Sequence, residues 1–213
     1  RWRDWAAEAR ADYEAWRQPG PMPGELDLGA CIAHLHERVP DAIVTNGAGN
    51  HTVWIHRFWR FRSFPSQLAP TSGALGYGLP AAGAAKALMP ERTVICFSGD
   101  GDFLMHGSEL ATAAQNELPI VVLVVDNGMY GTIRMHQERH FPGRVVGTDL
   151  HNPDFAAYAR AFGGHGELVE HTEDFPAAFD RALAAGVPAV ISLQVDPEAI
   201  APWTTLSALR AGT

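Results

Sequence analysis

Apolar positions return along the chain in two rhythms, and the switching between them predicts the elements. Trp2, Trp5, Ala6, Ala9, Tyr13 and Trp16 stand three and four apart, which predicts an amphipathic helix within residues 1–17. The Gln-Pro-Gly-Pro-Met-Pro-Gly stretch over 18–24 is a stiff, helix-breaking connector. Helix signals then cover 27–38, 52–59, 77–88, 107–116, 130–139, 152–162 and 173–185, and strand signals cover 42–45, 93–98, 119–126 and 188–195. This order predicts an α/β fold, a three-layer domain whose mainly parallel central sheet is flanked by helices. Thr93-Val-Ile-Cys-Phe97 and Pro119-Ile-Val-Val-Leu-Val-Val125 are apolar runs rather than alternations, as expected of central strands covered on both faces. Burying the six aliphatic side chains of the second run contributes roughly 9–18 kcal/mol as an upper bound. The pattern divides the chain into a linker helix and connector (1–24), one domain (25–196) and a C-terminal tail (197–213).

Composition narrows the function classes. The 213 residues are 46% hydrophobic and 19% charged, a globular composition that argues against a disordered chain. The longest wholly aliphatic run, Ile120 to Val125, is too short to cross a bilayer, and the first residues hold no signal-like apolar stretch. The expectation is a cytoplasmic protein with no membrane partner. A net charge of −8 disfavours nucleic acid, so an anionic ligand has to be held by local devices. Cys31 and Cys96 are too few for a disulfide framework or a metal cluster. Residue 1 is Arg rather than Met, which suggests a piece of a longer polypeptide.

Ligands of open parallel sheets lie beyond the carboxyl ends of the strands, which directs attention to the residues after Phe97 and Val125. Ser98-Gly-Asp-Gly-Asp-Phe103 follows the first strand and Asp126-Asn-Gly-Met-Tyr-Gly-Thr132 the second. Gly99 and Gly101 permit a sharp turn and a close approach to a ligand, and Asp100 between them offers a hard carboxylate oxygen. Asn127 adds a neutral amide oxygen, and the start of helix 130–139 adds N–H donors and a favourable dipole. Together these groups suit a divalent cation with a diphosphate. Each motif alone is an ordinary turn. Their separation of 27 positions spans a loop, a helix and a strand, and brings both to one edge of the sheet.

With those residues in place, Gly99-Asp-Gly101 with an Asn at this distance resembles the diphosphate-binding motif of thiamine-diphosphate-dependent enzymes. The family motif usually ends in two asparagines, and here the first is Asp126. Asn127-Gly-Met-Tyr-Gly-Thr-Ile-Arg134 is similar to the same loop in the decarboxylase and carboligase branch. The resemblance implies Mg2+ ligands from the Asp100 and Asn127 side chains and the Met129 carbonyl. It implies diphosphate contacts from Gly101, Asp102, Gly131 and Thr132 N–H groups, with Gly99, Phe103 and Tyr130 in the same loops. Asp102 replaces a residue that is often small, so its side chain is expected to point away from phosphate or stay hydrated. Thr71-Ser-Gly-Ala-Leu-Gly-Tyr-Gly-Leu-Pro-Ala81 resembles the loop that holds the aminopyrimidine ring, with Gly73 and Leu75 at the cofactor and Leu75 keeping it bent. Gly49-Asn-His-Thr-Val-Trp54 resembles an acetolactate-synthase-like segment, which implies diphosphate contacts from Asn50 and His51. A solvated ring at a helix N-terminus is the other reading of His51.

The resemblance covers residues 25 to 195 and implies the C-terminal, pyrophosphate-binding domain of a carboligase or decarboxylase acting on a 2-keto acid. It also implies that the glutamate that activates the cofactor lies on a pyrimidine-binding domain, usually from another subunit. The chain alone is then inactive, and the whole enzyme is a homodimer or homotetramer. A stand-alone small subunit of a two-chain 2-oxoacid decarboxylase is an alternative. So is a dinucleotide-binding oxidoreductase, since Gly76-Tyr-Gly-Leu-Pro-Ala81 fits G-x-G-x-x-A. Against the latter, Ser66-Gln-Leu-Ala-Pro70 is not a convincing buried strand. His136 and His140 enclose Glu138 as H-x-E-x-H and read as a solvated helical face rather than a metal pair. Trp203 and Leu206 in the tail either cover a site or pack.

Overall fold

The computed structural model describes residues 2–212; Arg1 and Thr213, the ends of the predicted first helix and tail, lie outside the described residues. In order, the elements are α1 (Trp2–Trp16), α2 (Leu28–Arg38), β1 (Ile43–Asn46), α3 (His51–Phe58), β2 (Gln67–Leu68), α4 (Gly78–Leu88), β3 (Val94–Gly99), α5 (Asp100–His106), α6 (Glu109–Gln115), β4 (Val121–Asp126), α7 (Gly131–His140), α8 (Phe155–Ala161), β5 (His165–Val169), α9 (Phe175–Ala184), β6 (Ala189–Gln194) and α10 (Leu206–Ala211). The sheet has six strands in the order β2-β1-β3-β4-β6-β5, and each neighbouring pair is parallel.

The apolar runs form the centre because both faces of each strand are covered. Ile95, Phe97, Leu123, Val125, Ile191 and Leu193 point into a core shared with α2, α3 and α9. Cys96, Val122, Val124 and Val190 point into a second core with α4, α5, α6 and α8. Asp27 caps α2, its Oδ1 accepting from the N–H groups of Gly29 (2.8 Å) and Ala30 (3.2 Å), so the predicted start at 27 is the cap itself.

Four elements depart from the sequence expectation. Gln67–Leu68 is a half-buried edge strand of two residues, paired with Val44 and Thr45. β5 is an edge strand whose His165-Gly-Glu-Leu-Val169 sequence mixes polar residues with few aliphatic ones, so no strand pattern announces it. α5 starts inside the stretch read as a glycine-rich loop, directly after β3. α10 forms in the tail, where Thr205 Oγ1 accepts from Ala208 N–H at 3.1 Å.

Candidate cofactor site

The chain runs from β1 to β2 on one side and from β3 to β4 on the other, so the loops leaving β1 and β3 diverge and open a crevice beyond the strand ends. β4 ends beside them, with Gly99 in register with Val125. These three neighbouring ends supply the residues singled out from sequence except Gly73 and Leu75, which come from the loop between β2 and α4.

Asp100, 3% exposed, is the first residue of α5. Its Oδ1 accepts from Gly101 N–H (2.8 Å) and its Oδ2 from Asn152 Nδ2 (2.8 Å). The same Asn152 nitrogen donates to Asp126 Oδ1 at 2.7 Å, so one amide bridges two buried acids. Burial above all, with Asp126 adding to it, pushes the Asp100 carboxyl up to about 6, against the hydrogen bonds from Asn152 and Gly101. A cation beside this carboxyl would replace the lost hydration.

The β4 loop is shaped by its own polar groups. Asn127 Oδ1 accepts from Met129 N–H (3.1 Å) and Asp126 Oδ1 from Gly128 N–H (3.2 Å), while Gly128 takes φ +68° to make the turn. Met129 pairs with Asp149 in an antiparallel bridge, held by Tyr130 N–H to Thr148 O and Leu150 N–H to Gly128 O, both 2.8 Å. The first turn of α7 follows, with Gly131 and Thr132.

After β1, Asn50 donates to Ile200 O (2.9 Å) and accepts from Thr132 Oγ1 (2.8 Å), which ties α3, α7 and the tail together. The His51 ring is buried, not solvated, and lies 3.6 Å from Asp102 Oδ2. Desolvation brings its pKa down to about 4, although Asp102 and the Phe97 backbone pull it up. The ring is therefore neutral at pH 7, and its Nε2 is a buried atom without a hydrogen-bond partner among the described residues.

A cavity of about 250 Å3 joins these loops. Asn50, His51, Gly73, Leu75, Gly99, Asp100, Gly101, Asp102, Asn127, Met129, Tyr130, Gly131 and Thr132 line it. Phe103 does not: it is 1% exposed in the core, edge-on to Phe155 at 5.4 Å. Asp102 lies at the lining, but its carboxyl group is buried among protein donors rather than hydrated. Sequence reading missed Asn152 and the apolar wall of Met22, Leu26, Trp54, Val195 and Ile200. A signal for Asn152 existed: Asn152-Pro153 is a turn dipeptide, and the helix predicted from 152 begins only at Phe155, capped by Asp154.

A doubly wound parallel sheet with a buried carboxyl group, oxygen donors and a helix N-terminus around one crevice has the form of a cofactor-binding α/β domain. The chain belongs to the thiamine pyrophosphate enzymes: residues 47–193 match the profile of their C-terminal TPP binding domain. It is 33% identical over 199 residues to the acetolactate synthase isozyme 2 large subunit of Escherichia coli (strain K12), covering 92% of this chain and 36% of that protein. It is 34% identical over 179 residues to the acetolactate synthase large subunit of Parasynechococcus marenigrum (strain WH8102), covering 82% and 29%. With the mitochondrial acetolactate synthase catalytic subunit of Saccharomyces cerevisiae (strain ATCC 204508 / S288c) it shares 33% over 156 residues, 72% and 23% of the two chains. The chain thus spans about a third or less of the length of these relatives. The family places this domain with thiamine diphosphate and Mg2+, not with a dinucleotide. The groups present suit that cofactor. The hard oxygens of Asp100 and Asn127 match Mg2+.

Proposed function

We propose that this chain is the cofactor-binding domain of a thiamine-diphosphate- and Mg2+-dependent carboligase or decarboxylase that acts on a 2-keto acid, of the acetolactate synthase kind. The observation that carries the reading is one cavity lined by Asp100, Asn127 and Met129 on the cation side and by Gly73 and Leu75 on the ring side. Asp100 Oδ, Asn127 Oδ1 and the Met129 carbonyl are the Mg2+ ligands. Gly101, Asp102, Gly131 and Thr132 offer N–H groups to the diphosphate, with the α7 dipole favouring its charge. His51, neutral, lines the same end of the cavity. When bound, thiamine diphosphate supplies the carbon nucleophile and electron sink for 2-keto acid chemistry. The chain's own groups bind and orient it.

The domain limits we assign are 1–24 for linker helix and connector, 25–196 for the binding domain and 197–213 for the tail. The partner is a pyrimidine-binding domain of the same enzyme, contributed by another subunit of a homodimer or homotetramer. The cavity rim supports this: Leu75 and Ile133 line the cavity yet remain exposed, as does Met105 nearby. Without that domain the chain is catalytically silent.

Calorimetry tests the assignment. Thiamine diphosphate is expected to raise the melting temperature only when Mg2+ is present, NAD(P) to have no effect, and Asp100→Ala to abolish the coupled shift. A retained Mg2+-dependent shift in Asp100→Ala would contradict the metal assignment, and protection by NAD(P) would overturn the cofactor.

A further inference from the structure

Asp102 has no part in the cation site, yet its carboxyl group is 2% exposed and is among the most thoroughly bonded in the molecule. Oδ1 accepts from Gly76 N–H at 2.6 Å and from Ala48 N–H at 3.4 Å. Oδ2 accepts from the Ser98 hydroxyl and lies 3.6 Å from His51 Nε2. The donors come from three separate segments: the loop after β1, the loop before α4, and the end of β3. Those segments carry His51, Leu75 and Asp100, all on the cavity wall. The chain also makes room for the acid, since a Cβ at Gly47 would stand 1.9 Å from Oδ1. A buried carboxyl group is strongly unfavourable once its donors leave, so neither loop can lift away without stranding it.

We propose that Asp102 is a positioning residue that clasps the 47–49 and 73–77 loops to the end of β3, so that the cavity is shaped before any cofactor enters. Its consequence for binding rests on the thiamine diphosphate reading of the cavity; the clasp itself does not. Two measurements on the intact protein separate the two. In Asp102→Ser without cofactor, hydrogen exchange of the Ala48 and Gly76 amides is expected to rise about tenfold or more, while β4 stays as protected as before. Affinity for thiamine diphosphate in excess Mg2+, measured by titration calorimetry, is expected to fall by about tenfold. Gly47→Ala, which presses on the same carboxyl group from outside, should reproduce both effects. The double variant should lose less than the two single losses combined, because serine vacates the space the methyl needs. Should Asp102→Ser not fold, Gly47→Ala carries the same comparison. Unchanged exchange at Ala48 and Gly76 in a folded variant overturns the clasp. Absence of thiamine diphosphate binding by the unaltered protein overturns the cofactor reading, and the exchange result still decides the clasp.

Discussion

Asn152 gives a single amide nitrogen to Asp100 and Asp126, and this shared donor keeps two buried acids side by side. Removing it leaves both carboxyl groups short of a donor. Asn152→Ala is therefore expected to destabilise the metal-free protein by ~1–3 kcal/mol. Urea unfolding in a chelator measures this, and repetition with Mg2+ should shrink the difference, because a cation at Asp100 relieves the same charge. An equal loss in both conditions would speak against a cation there. Asp100 and Asn127 were legible in the sequence because each sits in a short glycine-bearing motif directly after an apolar strand. The turn dipeptide Asn152-Pro153 was legible but not its partners: Asn152 reaches Asp100 across 52 positions and Asp126 across 26, from a segment with no periodicity of its own.

At the scale of elements, α7 is the unusual one. It carries the first-turn N–H groups of the candidate site, yet Glu138 is its only buried residue. Such a helix is not held by an apolar stripe. Arg210 of α10 grips Glu138 through Nη2 (2.7 Å) and Nε (3.1 Å), Gly143 N–H adds a bond at 3.1 Å, and Arg134 approaches at 3.4 Å. Arg134 continues to Asp149 at 3.0 Å, the bridge partner of Met129. Hydrogen bonds from Arg210 and Gly143, working against its burial, bring the Glu138 carboxyl from 4.5 down to about 2. A carboxyl group depressed on folding stabilises above its unfolded value, and that stability is lost as pH falls toward the folded one. Glu138→Gln should therefore lower the melting temperature at pH 7, with the deficit fading between about pH 4.5 and about pH 2. A deficit that is constant across that range would remove the ionic explanation. The six-residue α10 escaped sequence reading because its register is set by this contact and by its caps rather than by its own length.

Across the whole molecule, burial sets the expected cost of a substitution. Leu123 is fully buried in the middle strand, and Leu123→Ala is expected to remove about 2–5 kcal/mol. Trp5, 63% exposed on α1, should change stability by less than about 0.5 kcal/mol when replaced by Ala. Denaturant titration of the two variants checks the contrast, and a large loss in Trp5→Ala would mean that α1 packs onto the domain. None of the residues of α1 is buried, and its C-terminal end alone is fastened. Arg17 donates to Arg57 O (3.1 Å) and Phe58 O (2.5 Å), and Arg57 answers to Trp16 O (2.6 Å) and Pro202 O (2.9 Å). The connector and the tail thereby meet on α3, which explains how Met22 and Ile200 come to wall the same cavity.

What the sequence determined by itself was local: an apolar run covered on both faces has to be a central strand, and a Gly-Asp-Gly or Asp-Asn-Gly directly after it has to stand at the sheet's carboxyl edge. Those rules suffice for the fold class and for bringing Asp100 and Asn127 to one cavity. Tertiary structure alone decided the edge strands, the Asn152 bridge, the Asp102 clasp and the apolar wall. These depend on which distant groups become buried together, as when Asn50 meets Ile200 across 150 positions. Burial is what turns a weak polar contact into one the chain cannot release, and no short stretch of sequence encodes its neighbours in space.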